Sequence, residues 1–268
     1  MICNDDTNCS LFDFMANNVG IKVLHPGGYD ATSKLCSHLN LNEDSHVLDL
    51  ACGVGTTSLF LAKKFNCKVT GIDISENLIE CAKTNLAKTG QGLKVTFQAA
   101  DAFSLPFSDE TFDCIISQAF FILVDNKELA LKEMYRMLKP SGYLGSLELG
   151  WLKKPPTHVY EEILMNTCTN LVPRMLEFHD WESFFTSNKF TLIESSKKPM
   201  PSGMLKLIKT EGLINFLCIV WKMISNQQLR KKMMGVQKTF KKYNNYFAYG
   251  IFVLKKQTTE LNKKTDNV

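Results

Sequence analysis

The stretch VLDLACGVGTTSLFLAKKF, Val47 to Phe65, constrains the fold more than any other part of the chain. An apolar run breaks into a glycine-bearing turn and resumes at helical spacing, the order of a strand, a tight loop and a helix. The pattern then repeats. KVTGIDI reads as a second strand, and ENLIECAKTNLAKTG as a helix capped by Ser75 and closed near Gly90. LKVTFQAA, FDCIISQAF and GYLGSLELG are further strands, with the helix KELALKEMYRMLK, ended by Pro140, before the last of them. Strands alternating with helices over about a hundred residues predict βαβ units and a parallel sheet covered on both faces.

The flanks are looser. HPGGYDATSKLCSHLNL predicts a helix carrying Leu35, Leu39 and Leu41, and residues 1–45 are expected to form a helical cap. Late in the chain HDWESFFTSNKF is a helix, and FTLIESSKK and YFAYGIFVLKK are a sixth and a seventh strand. Residues 199–245 lie between those two strands, where a hairpin needs only about 2–5 residues. Within this insertion Leu213, Leu217, Val220, Trp221 and Ile224 form a helical stripe, which reads either as a helix packed onto the core or as a lid over a binding site. The main domain is thus expected to span residues 46–256, and the polar residues 257–268 to be a disordered tail.

Glycine loops that follow a strand usually cradle phosphate. This one departs from both phosphate patterns. Gly53 and Gly55 supply the first two glycines of a dinucleotide loop, but Ser58 stands in the third place, and no Gly-Lys-Ser/Thr ending follows. Asp49, at the strand end, would repel a pyrophosphate and would suit an ammonium or sulfonium charge. Asp73 ends the second strand, where an acid accepts both hydroxyls of a ribose. Asp101 follows the third, where a carboxylate could accept from an adenine amino group. All of them map to the carboxyl edge of the sheet, where ligands of open α/β folds bind.

These motifs, in this order, resemble the class I S-adenosylmethionine-dependent methyltransferases, particularly the small-molecule branch that includes the ubiquinone/menaquinone-type enzymes. VLDLACGVG is similar to the family's first motif, with Ala51 where many members have glycine. GIDIS resembles the second, which implies Asp73 on the ribose and Ile74 packed on the adenine. ADAFSLPF resembles the third, which implies Asp101 and Ala102 at the adenine edge. FDCIISQAF resembles the fourth, with Ser117 and Gln118 over the methyl group, and LKPSG stands where the family has its Leu-Lys-Pro-Gly-Gly turn. The resemblance implies a Rossmann-like α/β fold, a seven-stranded sheet that is mostly parallel with the last strand antiparallel. It implies S-adenosylmethionine as cofactor, held by Asp49, Ala51, Gly53, Gly55, Asp73, Ile74, Asp101, Ala102, Ser117 and Gln118.

Methyl transfer from a sulfonium is an in-line displacement, so proximity and orientation matter more than acid–base chemistry. His25, in HPGGY, reads as a base, as a lid residue closing over the cofactor, or as a plain loop histidine. Glu148, in SLELGW, could act as a base or bind a cationic acceptor, or pair with a nearby lysine. The Ser-Gln-Ala-Phe after the fourth strand lacks the Asn/Asp-Pro-Pro-aromatic of adenine-N6 enzymes, which favours a small-molecule acceptor.

Nine cysteines without C-x-x-C spacing read as mostly free, buried thiols in a reducing cytoplasm, with no metal site. The amino-terminal MICNDDTNCS lacks a signal-peptide pattern, and no apolar run reaches the roughly 20 residues of a membrane span. The net charge of +4 is mild, so no DNA partner is expected and RNA is disfavoured. Three alternatives stay open. They are a non-catalytic S-adenosylmethionine-binding sensor or assembly subunit, an RNA methyltransferase favoured by the basic last third, and a nicotinamide-dependent oxidoreductase, opposed by Asp49 and the missing third glycine.

Overall fold

A computed structural model of the chain describes residues 14–89, 92–167, 172–200, 208 and 210–258. The expected βαβ run is present. Strand β1 (His46–Leu50) leads to helix α2 (Thr56–Phe65), β2 (Lys68–Asp73) to α3 (Glu76–Lys88) and then to β3 (Val95–Ala99). β4 (Phe112–Gln118) is followed by α4 (Lys127–Met137) and β5 (Leu138–Trp151). A short π-helical segment (Phe14–Val19) and helix α1 (Gly28–Cys36) precede β1. After β5 come α5 (Thr157–Thr167), the short strand β6 (Leu176–Glu177), α6 (Phe178–Ser187) and β7 (Phe190–Lys198). The insertion contributes α7 (Leu213–Ser225) and α8 (Gln227–Lys242), and β8 (Phe247–Lys256) follows.

The sheet runs β3-β2-β1-β4-β5-β8-β7, with β6 paired to β5 off this path. β1 to β5 pair in parallel, and β8 runs antiparallel to both β5 and β7. The fold is therefore the Rossmann-like α/β sheet read from the sequence, with the last strand inserted antiparallel and β6 as an unforeseen addition. The strand order reverses between β1 and β4, where Asp49 lies opposite Ile116 and Leu50 opposite Ser117. That reversal opens a crevice at the carboxyl edge.

The central strands are apolar because both faces are covered. Val47, Leu48, Ile115, Ile116, Leu144, Phe252 and Val253 are fully buried. Beyond β5 an aromatic cluster of Phe121, Trp181, Phe184 and Phe185 fills the space under α6, and the Trp181 indole N–H donates to the Leu149 carbonyl at 3.0 Å.

Local details differ from the sequence reading. α1 ends at Cys36, so Leu39 and Leu41 lie outside it. α4 stops at Met137, and Pro140 sits inside β5, because a proline pushes its predecessors into extended backbone. Ser75 caps α3 as expected, its hydroxyl accepting from the Leu78 amide at 3.3 Å, while Gly90 lies outside the described residues. The expected stripe of the insertion needs correcting in one respect. α7 buries Phe216 and Ile219, whereas Leu213, Leu217, Trp221 and Ile224 are exposed. The helix is apolar nearly all round, so periodicity located an apolar face but not the one that meets the core. Gln257 and Thr258 continue the chain past β8, and the expected tail beyond them lies outside the described residues.

Candidate active site

The loop after β1 is shaped by three left-handed residues, Ala51 (φ +58°), Gly53 (φ +55°) and Gly55 (φ +80°). The Cys52 amide donates to the Ile72 carbonyl at 2.8 Å and the Gly55 amide to the Cys52 carbonyl at 2.9 Å, which closes the turn. The two glycines do different work. A Cβ on Gly55 would stand 2.5 Å from the Phe97 ring, so this glycine lets α2 pack onto β3. A Cβ on Gly53 would meet nothing within 4 Å, because that position faces an open cavity.

The cavity has a volume of about 370 Å³ and lies at the carboxyl edge, over the strand-order reversal. Asp49, Ala51, Gly53, Asp73, Ile74, Asp101, Ala102, Gln118 and His25, all expected site residues, line it. Gly55, Ser117 and Glu148 do not. Leu24, Phe120, Leu123 and Val124 add an apolar wall.

Each carboxylate has a defined setting. Asp49 is buried, and the Ser58 hydroxyl donates to its Oδ2 at 2.5 Å. Burial, with Asp73 nearby, pushes Asp49 up to about 7 against the pull of Ser58. Asp73 accepts from the Gly53 amide at 2.9 Å through Oδ2 and from the Ser75 amide at 3.0 Å through Oδ1. It therefore locks the glycine loop to the end of β2. Asp101 accepts from the Phe103 amide at 2.9 Å and lines the cavity. Ile74 lines the cavity yet is 76% exposed, an apolar side chain without cover.

A polar chain crosses the floor. Thr57 Oγ1 donates to Gln118 Oε1 at 2.8 Å, Gln118 Nε2 donates to Thr32 Oγ1 at 3.0 Å, and Thr32 Oγ1 lies 3.3 Å from His25 Nε2. Withdrawal from water pushes His25 down to about 4, so its imidazole is neutral at pH 7. Thr57 and Thr32 had no motif to mark them, because their role is set by a partner 61 or 86 residues away.

Glu148 sits beneath the cavity. It is fully buried, and its Oε1 accepts from the Phe120 and Phe121 amides at 3.1 Å each. Burial pushes it up to about 8, opposed by those amides and by Lys127. Its carboxyl thus anchors the loop that carries Phe120, Leu123 and Val124. Lys127 Nζ donates to the Val124 carbonyl at 3.2 Å, and Arg174 forks onto Asp125 at 2.6 and 2.8 Å, fixing the loop's far end. Ser117 is buried one level lower, and its hydroxyl has no hydrogen-bond partner among the described residues.

The remaining wall comes from the chain's beginning. Lys22, Leu24 and His25 line the cavity, and Thr56 Oγ1 donates to the Lys22 carbonyl at 3.1 Å. Glu211, in the insertion just before α7, accepts from the Lys22 and Val23 amides at 3.0 to 3.1 Å. A lone acid ahead of an apolar helix was the only sequence signal for this tie.

Comparison with known proteins agrees with the geometry. The family profile described as a methyltransferase domain matches residues 47–142. An uncharacterized protein of Haemophilus influenzae is 31% identical over 239 residues, 87% of this chain and 91% of that protein. The demethylmenaquinone methyltransferase of Leptospira interrogans is 42% identical over 119 residues, 43% of this chain and 47% of that protein. The chain spans about half the length of the named curated relatives it matches. Among solved structures, a Geobacter sulfurreducens S-adenosylmethionine-dependent methyltransferase in complex with S-adenosylhomocysteine superposes with a TM-score of 0.69 at 19% identity, covering 90% of this chain and 96% of that one. The cyclase SpnF superposes with a TM-score of 0.71 at 19% identity, covering 94% of each chain. At these identities the structures share a fold, which by itself does not fix a reaction.

Proposed function

The chain belongs to the class I S-adenosylmethionine-dependent methyltransferases, with S-adenosylmethionine as its cofactor, and from that premise we propose that it transfers a methyl group to a small, partly apolar acceptor. The observation that carries this reading is the division of one cavity. Asp49, Asp73, Asp101 and the Gly53 cradle stand on one side, and Leu24, Phe120, Leu123 and Val124 on the other.

The residues present fit the cofactor. Gly53 leaves space for close backbone approach, and the uncovered Ile74 offers an apolar surface for an adenine ring. Asp73 would hold ribose hydroxyls and Asp101 the adenine edge. Asp49 and the loop backbone from Ala51 would hold the amino-acid end, where a carboxylate suits a positive charge. Gln118, fixed by Thr57 and Thr32, would orient the region between cofactor and acceptor. Bound there, S-adenosylmethionine supplies a methyl group already activated on a sulfonium, so direct in-line transfer chiefly needs alignment.

His25 and Glu148 take different parts. A neutral imidazole near 4 is a weak base at pH 7, so His25 serves as a hydrogen-bonding wall residue that orients an acceptor. Glu148 acts on the acceptor side through the loop it holds. The apolar wall excludes water and favours an acceptor with an apolar body. Residues Lys22 to His25, tied by Glu211, close the cavity from the amino-terminal side.

The test is titration calorimetry with S-adenosylmethionine, S-adenosylhomocysteine and NAD, followed by an acceptor screen with labelled methyl donor. Binding of the first two, weakened in Asp73→Asn, together with label transfer to an apolar small molecule, supports the proposal. Tight cofactor binding with no transfer to any acceptor points to a sensor or assembly subunit. Transfer to polar acceptors alone overturns the apolar assignment.

A further inference from the structure

The insertion presents an apolar face that the cavity does not use. On α7, Ile214 is 81%, Trp221 68% and Ile224 69% exposed, and Leu213 and Leu217 are exposed beside them. The helix buries its opposite side through Phe216 and Ile219. Met234 extends the exposed apolar surface onto α8. A cluster of large apolar side chains of this size on one helix marks a place of interaction.

The charge around this face is one-sided. Along α7 and α8, from Lys222 to Lys242, every ionic side chain is Lys or Arg. Arg230 caps the carbonyls of Met223 and Ile224 at 3.2 and 3.1 Å, and Lys222 donates to the Asn18 carbonyl at 3.2 Å, so these two stiffen the hairpin. Lys231, Lys238 and Lys241 are exposed on α8. An exposed Leu/Ile/Trp face bordered by an all-basic helix is the composition of a segment that lies in the headgroup region of an anionic bilayer.

We infer that α7 and α8 form a docking surface for anionic lipid, on which the protein sits without spanning it. α7 has 13 residues, a length of about 20 Å, and it would lie in the plane of the interface. No helix among the described residues is long and apolar enough to cross a membrane. A second copy of the chain fits the same face less well. Symmetric pairing through α7 would set two α8 helices near one another, each without an acid of its own, although Lys242 is paired with Glu162 of α5 at 2.7 Å. The hairpin is joined to the cavity wall, because Glu211, two residues before α7, holds the Lys22 and Val23 amides. The inference does not depend on the acceptor or on methyl transfer.

Trp221 supplies the readout, since Trp151 and Trp181 are buried. The full-length protein is mixed with vesicles of phosphatidylglycerol and phosphatidylcholine, and with vesicles of phosphatidylcholine alone. Co-sedimentation with the anionic vesicles and a blue shift of tryptophan emission are expected, with binding reduced by added salt. Leu217→Gln with Ile224→Gln is expected to lower vesicle binding by about tenfold or more. Lys231→Gln with Lys238→Gln and Lys241→Gln is expected to weaken binding to anionic vesicles while leaving the thermal midpoint unchanged, which separates docking from folding. Absence of sedimentation with anionic vesicles overturns the inference. So does equal binding to both vesicle types, a dimer in sedimentation equilibrium that the Leu217→Gln, Ile224→Gln protein cannot form, or binding of RNA in place of vesicles.

Discussion

Ser58 Oγ donates to Asp49 Oδ2 at 2.5 Å, and both groups are buried. The residue that occupies the third-glycine place of the loop is therefore the partner of the carboxylate that replaces phosphate chemistry. Ser58→Ala removes the donor and leaves Asp49 with burial unopposed by a hydroxyl. The carboxyl then stays protonated at pH 7. Cofactor affinity at pH 7 is expected to fall by about tenfold, the worth of one hydrogen bond to a charged group. Calorimetric titration measures it, and unchanged affinity would show that Asp49 does not need its charge.

Cofactor binding should depend on pH through Asp49. Below about 7 this carboxyl holds its proton and offers no charge to a cation, and above it the carboxylate is formed. Affinity is expected to strengthen as pH rises through 7 and then level off, with a slope of at most about tenfold per pH unit. Binding below 7 should release a proton, visible as a buffer-dependent heat. Asp49→Asn should flatten the profile.

Apo stability should fall between pH 6.5 and 8. A carboxyl raised in the folded state favours folding while protonated, so its contribution is lost as pH climbs from the ordinary value to the folded one. For Asp49 that window closes at about 7 and for Glu148 at about 8. His25 and His46, both lowered to about 4, act in the opposite direction, but only below their ordinary 6.5. Above 6.5 the carboxyls act without them. The melting temperature of Glu148→Gln should change less than that of the unmodified protein from pH 7 to 8. A parallel profile would remove Glu148 as the source.

The two loop glycines should separate folding from binding. Gly55→Ala forces a Cβ onto Phe97 at a left-handed residue and is expected to destabilise by about 2–4 kcal/mol. Gly53→Ala meets no protein atom, so about 1–2 kcal/mol of backbone strain is expected and the protein folds. Its Cβ enters the cavity instead, and cofactor affinity should drop by about tenfold or more. Thermal melts and titrations on the two variants check this, and the reverse ranking would reassign both glycines.

Much of the candidate site's placement was legible in the chain. Asp49, Gly53, Asp73, Ile74 and Asp101 stand at or just past strand ends whose apolar runs are local and periodic, so counting along the sequence placed them at one sheet edge. Residues whose place depends on distant partners were read less well. Gly55, Ser117 and Glu148 stand next to the right elements, yet they face β3, the sheet interior and the underside of a loop. A one-residue step along a strand turns a side chain to the other face, and motif spacing does not register what lies there. The α7 stripe failed for a related reason, since a helix apolar on two faces carries no mark of which one the core takes.

The sequence by itself determined the βαβ order, the glycine turn and the row of acids, because hydrophobic period and turn chemistry act between near neighbours. Only the tertiary structure decided that Ser58 serves Asp49, that Glu148 serves a backbone loop, that Glu211 ties the insertion to the cavity wall, and that Trp221 faces outward. Those outcomes rest on burial and on hydrogen bonds between residues far apart in the chain. Such contacts exist only once the sheet has brought the residues together.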